Sequence, residues 1–239
     1  MKKLLSSLMS AGLLCSFTPW KTIEGNGNLK TETRELKGFT GISMNGNMNL
    51  DLSYGQSNTI SIEADDNLLP YIETTLKDGM LVVKAKEDAN LKSKNNLTVH
   101  VSMIRLTDLK LSGSGNVKGN GGFSNDGTTT ISLSGSGNVS LSAKSFGQTN
   151  VAISGSGNIS LKGGTTENLE ARISGSGNID CSDFVSTKAT ARISGSGNVE
   201  VNASKSIEAN ISGSGNVYYK GEATDVKSKA LGSGKVIKM

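Results

Sequence analysis

Two cysteines, two prolines and a single histidine occur among the 239 residues, and aromatic residues make up only 4%. Each scarcity excludes something. Two prolines beside 30 glycines are not the composition of a collagen-like or Pro-rich disordered chain. An apolar fraction of 35% with so few aromatics argues against a thick globular core. A thin core shared along an elongated body fits better. If Cys15 belongs to a removed leader, Cys181 remains without an intramolecular partner, so no disulfide framework is available. The formal charge of +4 falls to +2 once Lys2 and Lys3 are set aside, and no Lys/Arg block occurs. That is not the footprint of a nucleic-acid binder.

The opening "MKKLLSSLMSAGLLCSFTPW" places Lys2 and Lys3 before a short apolar run, Leu4 to Leu14. The run is too short for a membrane span and has the form of a secretory signal, here assigned to residues 1–19. Cys15 is a candidate lipidation site. Leu14 stands where lipoprotein signals carry a small residue, so plain export after nearby cleavage is the alternative. No second long apolar segment follows, and the mature chain is expected to be soluble or tethered only through an N-terminal lipid.

What the chain does contain is repetition. SGSGN occurs six times, starting at Ser112, Ser134, Ser154, Ser174, Ser194 and Ser212, and a worn copy reads "LGSGK" at Leu231–Lys235. The first glycines of successive copies are 22, 20, 20, 20, 18 and 19 residues apart. Periods near 20 are a solenoid signature. Around one copy, Leu169, Ala171, Ile173, Gly175, Gly177, Ile179 and Cys181 share one parity. Glu170, Arg172, Ser174, Ser176, Asn178 and Asp180 share the other. This is strand periodicity with one apolar and one polar face. Such a strand cannot bury its apolar face alone, but stacked coils about 4.8 Å apart enclose a common core.

The predicted fold is therefore all-β: a single-chain, right-handed parallel β-helix of about 20 residues per coil. Residues 111–239 form the regular solenoid, and residues 20–110 a less regular β region that caps one end.

The repeated turn is made of Gly113, Gly115 and Asn116; Gly135, Gly137 and Asn138; Gly155, Gly157 and Asn158. It recurs at Gly175, Gly177 and Asn178; Gly195, Gly197 and Asn198; and Gly213, Gly215 and Asn216. Either both glycines face a waist too narrow for a side chain, or one has positive φ and turns the chain. The asparagines are expected to form a structural ladder, with amides hydrogen-bonded up the stack.

Before Leu111 the pattern loosens. "EGNGN" at Glu24–Asn28 and "MNGN" at Met44–Asn47 read as degenerate copies of the turn. "MNLDLSYGQSNTISIEA" reads as two strands, and "MLVVKAK" and "NLTVHVSM" as two more. "DDNLLPYIETTLKDG" has acidic residues at its start and Asp78-Gly79 at its end, which predicts a short helix.

With "GFTGISMNGNMNLDL", "IEADDNLLPYIETTLKDGMLVV" and the chain of "LSGSGN" turns in this order, residues 36 to 226 resemble a bacterial family. It is the family of auto-transporter adhesins with a head-GIN domain. The resemblance implies an exported β-helical protein with a role in adhesion and no catalytic residues to carry over. After "GSGKVIKM" no C-terminal strands of the outer-membrane anchor type are expected, which sets the chain apart from the auto-transport in the family's name.

Chemical candidates are few. His100 takes the polar parity in "LTVHV" and is expected to face solvent. Asp65 and Asp66 are expected to cap the short helix rather than act as an acid/base pair. Calcium-binding β-rolls carry a repeated aspartate where this chain has asparagine, so no metal site is expected. "GSGK" lacks the spacing and following helix of a phosphate loop. Arg172 and Arg192 stand one period apart, with Glu170 and Glu208 on the same parity, and local neutralisation is expected.

Thirteen motif serines and six asparagines are set out in columns. The functional expectation is an exported, non-enzymatic adhesin or cell-envelope binding protein without cofactors, facing a glycan or protein ligand. A carbohydrate-active β-helix enzyme and a passive, self-assembling envelope scaffold are the alternatives.

Overall fold

The computed structural model describes residues 21–239; the expected leader, residues 1–19, with its candidate lipidation site Cys15, lies outside the described residues. In chain order the first strands are β1 (Lys21–Glu24), β2 (Leu29–Arg34), β3 (Gly41–Gly46), β4 (Asn49–Tyr54) and β5 (Thr59–Asp65). They are followed by β6 (Ile72–Lys77), β7 (Met80–Ala85), β8 (Ala89–Lys92), β9 (Thr98–Met103) and β10 (Asp108–Gly113). The repeats form β11 (Asn116–Gly135), β12 (Asn138–Gly155), β13 (Asn158–Gly175), β14 (Asn178–Gly195) and β15 (Val199–Gly213). The last strands are β16 (Val217–Lys220), β17 (Asp225–Gly232) and β18 (Val236–Lys238).

The result is a β-solenoid of about seven turns with roughly 20 residues per coil, as the period predicts. From β11 to β14, each long strand runs from the asparagine of one turn to the first glycine of the next. Neighbouring coils pair in parallel, with like residue on like: Asn138 on Asn158, Ile153 on Ile173, Gly155 on Gly175. Alternation then sends one parity inward. Val139, Ile159, Ile179, Val199 and Val217 form one buried column, and Leu133, Ile153, Ile173, Ile193 and Ile211 another. Burying a side chain of this size contributes roughly 1.5–3 kcal/mol, so the stack is stabilised coil by coil. The register slips part-way along several coils, as between Cys181 and Val185. Near this slip the scarce aromatics Phe146 and Phe184 pack at 6.0 Å between ring centroids.

The stack also extends into the less regular half. Strand β3 pairs in parallel with β10, placing Gly46 beside Gly113, and β4 pairs with β11. Gly46 has φ 111°, like the repeat glycines, while Met48 stands where the second glycine would be. The worn "MNGN" is thus a true coil corner. "EGNGN" is not: β1 pairs with β8 in a separate two-stranded sheet, and Glu24–Asn28 does not stack on the repeat.

Spatial order departs from chain order here. Strands β7 and β9 stack on β3 and β4, and the chain then returns to lay β10 on the opposite side of β3. Antiparallel strands close this end, β6 on β7, β5 on β9 and β2 on β5.

The predicted short helix is absent. Only a single 3-10 turn forms at Leu69–Tyr71, around Pro70, and Ile72–Lys77 continues as a strand. Asp78 and Gly79, with φ of 51° and 74°, make the tight hairpin turn into β7. Two adjacent residues with positive φ suit the twist of an antiparallel hairpin, and Asp-Gly is a preferred pair for it. Among the described residues no helix is long and apolar enough to cross a membrane.

Candidate binding surface

The corner of each coil uses its two glycines differently. Gly175 has φ 129°, a conformation that L side chains rarely adopt, and it turns the chain. Gly177 has no positive φ, but a Cβ there would collide with the carbonyl oxygen of Gly157 and come within 2.9 Å of Ile153 Cγ2. One glycine of each pair thus has positive φ and only the other faces fully inward, while a Cβ on Gly175 would also collide with the carbonyl oxygen of Gly155. Between Gly175 and Gly177, Ser176 is left exposed on the outer surface.

The asparagine ladder is continuous. Asn138 Nδ2 donates to Asn116 Oδ1 at 2.9 Å, Asn158 to Asn138 at 2.9 Å, and Asn178 to Asn158 at 3.0 Å. Asn198 and Asn216 extend it at 3.2 and 3.3 Å. It begins one coil earlier than the repeat suggests, at Asn49, whose Oδ1 accepts from Asn116 Nδ2 at 3.3 Å. At the other end the Lys235 backbone N–H donates to Asn216 Oδ1 at 3.1 Å. These amides are engaged in holding the stack.

The serines are not. All thirteen motif serines are exposed, and none of their hydroxyls makes a hydrogen bond to protein among the described residues. They stand in two columns, one on each side of the first corner glycine. Beside the column of Ser154, Ser174, Ser194 and Ser212 runs a second one: Ala152, Arg172, Arg192 and Asn210. Arg172 and Arg192 both reach Glu170, at 2.6 and 3.2 Å. Glu208 does not neutralise either arginine; its Oε1 accepts from Asn210 Nδ2 at 2.8 Å.

The structure brings together one group that the sequence does not suggest. Because β9 lies between β4 and β5, His100 is flanked by Asp51 on one side and Ser61 on the other. His100 Nδ1 is 3.5 Å from Asp51 Oδ2, and the two side chains are 41% and 51% exposed. No hydrogen bond joins Ser61 to His100 among the described residues, so this serine lacks the base contact of an activated nucleophile. The strand order that creates the row is not readable from spacing.

Asp65 and Asp66 do not cap a helix. Asp65 ends β5 and is fully buried. Its carboxylate accepts from Gly27 N at 3.0 Å, Ser93 Oγ at 2.8 Å, Lys94 N at 2.8 Å and Asn95 Nδ2 at 2.6 Å. Burial alone would raise its pKa. The hydrogen bonds from Ser93, Lys94 and Asn95 outweigh burial and hold it down at about 2. Asp65 is thus a knot that fastens the loops around Gly27 and Ser93–Asn95. Asp66 accepts from Asn26 Nδ2 at 2.5 Å. The Cys181 thiol is fully buried, and burial pushes its pKa up, so it is an inert core group. No cluster of three potential metal ligands occurs among the described residues.

Residues 38–223 match the family described as "Putative auto-transporter adhesin, head GIN domain". The chain belongs to that family. The solved structures similar to this head-GIN chain include a "putative adhesin" from Bacteroides fragilis NCTC 9343. It is 22% identical with a TM-score of 0.82, over 91% of this chain and 100% of that one. A "putative adhesin" from Parabacteroides merdae ATCC 43184 is 25% identical with a TM-score of 0.71, over 91% and 99% of the two chains. A structure called a "putative lipid binding protein", from Parabacteroides distasonis ATCC 8503, is 24% identical with a TM-score of 0.71, over 92% and 100%. No curated protein matches the chain.

Proposed function

We propose that this chain is an exported, non-enzymatic binding protein of the cell envelope, an adhesin that presents a repetitive polar β face to a glycan or protein. The observation that carries this reading is the array of thirteen exposed motif serines whose hydroxyls bond to no protein group among the described residues. Coils repeat at about 4.8 Å, so one weak contact can be multiplied along a surface. The family's name and the form of the leader support a place outside the cytoplasm.

The test is a glycan and host-matrix binding screen with the purified mature protein. A ligand should be retained, and no single Ser→Ala change should abolish its binding. Replacing Ser136, Ser156, Ser176 and Ser196 together should weaken it in steps if that column is the binding face. Cleavage of a polysaccharide, abolished by one Asp or Glu substitution, would replace this reading with the enzyme alternative.

A further inference from the structure

We infer that the groove between the arginine column and the neighbouring serine column is a site for a linear acidic polysaccharide bearing carboxylate or sulfate groups. This rests on the binding-protein reading above and names its ligand class. The groove runs across successive coils, with Arg172, Arg192 and Lys229 on one wall and Ser174, Ser194 and Ser212 on the other. Ile153, Ile173, Ile193 and Ile211 underlie its floor.

The charge on the cationic wall is not balanced. Glu170 Oε1 alone accepts from Arg172 Nε and Nη2, at 2.9 and 2.6 Å, and from Arg192 Nε at 3.2 Å. One carboxylate thus serves two guanidiniums. Arg192 keeps both terminal nitrogens without a protein acceptor among the described residues, and its side chain is 46% exposed. Lys229 makes no ion pair among the described residues. It lies on the same column, because Arg192 pairs with Asn210 and Asn210 with Lys229. The nearby acids Glu170 and Glu208 precede this column by two residues on their strands, on the side away from the serines. An occupant of the groove therefore meets the cations and the Asn210 amide on one side, and on the other the serine hydroxyls followed, in the coil of Lys229, by exposed Leu231.

These features select the ligand. Guanidinium groups pair with planar or tetrahedral oxyanions through two parallel hydrogen bonds, and serine hydroxyls pair with sugar hydroxyls. From Arg172 to Lys229 is three coils, about 14 Å at roughly 4.8 Å per coil, so the occupant is extended along the stack. A membrane surface is disfavoured: the cations stand in single file, short of the roughly 4–8 clustered Lys/Arg that anionic lipid recognition uses. Single-stranded nucleic acid is disfavoured because no aromatic ring lines the groove for base stacking.

The experiment is titration of the purified protein with fluorescent oligogalacturonate and with heparin oligosaccharides, using neutral dextran as the comparison. Both acidic chains should bind, dextran should not, and binding should fall steeply with added salt. Arg172→Gln/Arg192→Gln/Lys229→Gln should weaken binding about tenfold or more, while Lys144→Gln/Lys162→Gln should leave it unchanged. All five side chains are exposed, and matching thermal midpoints would show that both variants fold.

Failure of both acidic chains to bind, equal binding of dextran, or an unaffected triple variant would overturn the assignment. So would tighter binding of phosphatidylserine vesicles or oligothymidylate that depends on the same three residues. If neutral glycans or matrix proteins bind through the serine columns while acidic chains do not, this inference fails and the binding-protein reading survives.

Discussion

Gly177 lies so close to Gly157 in the neighbouring coil that a side chain on Gly177 would occupy the space of the Gly157 carbonyl oxygen. The same contact recurs at Gly197 against Gly177 and at Gly157 against Gly137, so the corner is a column of backbone packed on backbone.

Gly177→Val and Gly175→Val should each destabilise by roughly 1–3 kcal/mol or more, the first by overpacking and the second through its positive φ. Ser176→Val, on the exposed outer surface between them, should stay within about 0.5 kcal/mol. Urea unfolding midpoints decide this. Equal midpoints for the three variants would contradict the corner geometry.

Asp65 makes stability depend on acid. Its pKa is lowered from an ordinary 3.8 to about 2, so the unfolded chain takes up the proton first as pH falls. Its contribution is complete above pH 4 and is lost as pH falls towards 2. Asp65→Asn should lower the unfolding midpoint at pH 5–7, and the gap to the unsubstituted protein should close below pH 4. A gap that stays constant from pH 7 to pH 2 would count against the hydrogen-bonded carboxylate.

Asn178→Ala removes one rung of the ladder: the donor to Asn158 and the acceptor for the side chain and backbone N–H of Asn198. The cost should be about 1 kcal/mol, since the rung is exposed and water replaces part of it. Ser176→Ala, two residues away, should cost almost nothing. Chemical denaturation of the pair provides the comparison.

Export is tested on protein taken from its native envelope. Intact mass should show that residues up to about Cys15–Pro19 are missing. Cleavage before Cys15 with added lipid mass would identify a lipoprotein, and retention of Met1 would refute export.

The solenoid was legible because its cause is periodic. Alternation around Ile173, Ile193 and Ile211 marks one buried face, and glycine pairs at a 20-residue interval mark the corners. The first half was less legible for particular reasons. Met48 replaces a glycine at the corner that places Gly46 beside Gly113, so the repeat is disguised there. In "DDNLLPYIETTLKDG" the acidic start and final glycine resemble helix boundaries. However, Thr74 and Thr75 favour a strand, and Asp78-Gly79 is a hairpin turn. Among site residues, the serine columns were readable from the parity. The single carboxylate shared by Arg172 and Arg192 was not, because residues one period apart can be neutralised separately or together.

By itself the sequence determined the strand period, the inward parity, the coil length and the asparagine ladder. All of these follow from local chemistry repeated at one spacing. Only the tertiary structure decided the order of the N-terminal strands. The pairing of β9 between β4 and β5 depends on contacts between distant segments, and no spacing encodes it. The same holds for Asp65, whose partners Gly27 and Ser93–Asn95 are 38 and about 30 residues away. A buried carboxylate is tolerable only where several donors converge on it, and that convergence exists only in the folded chain.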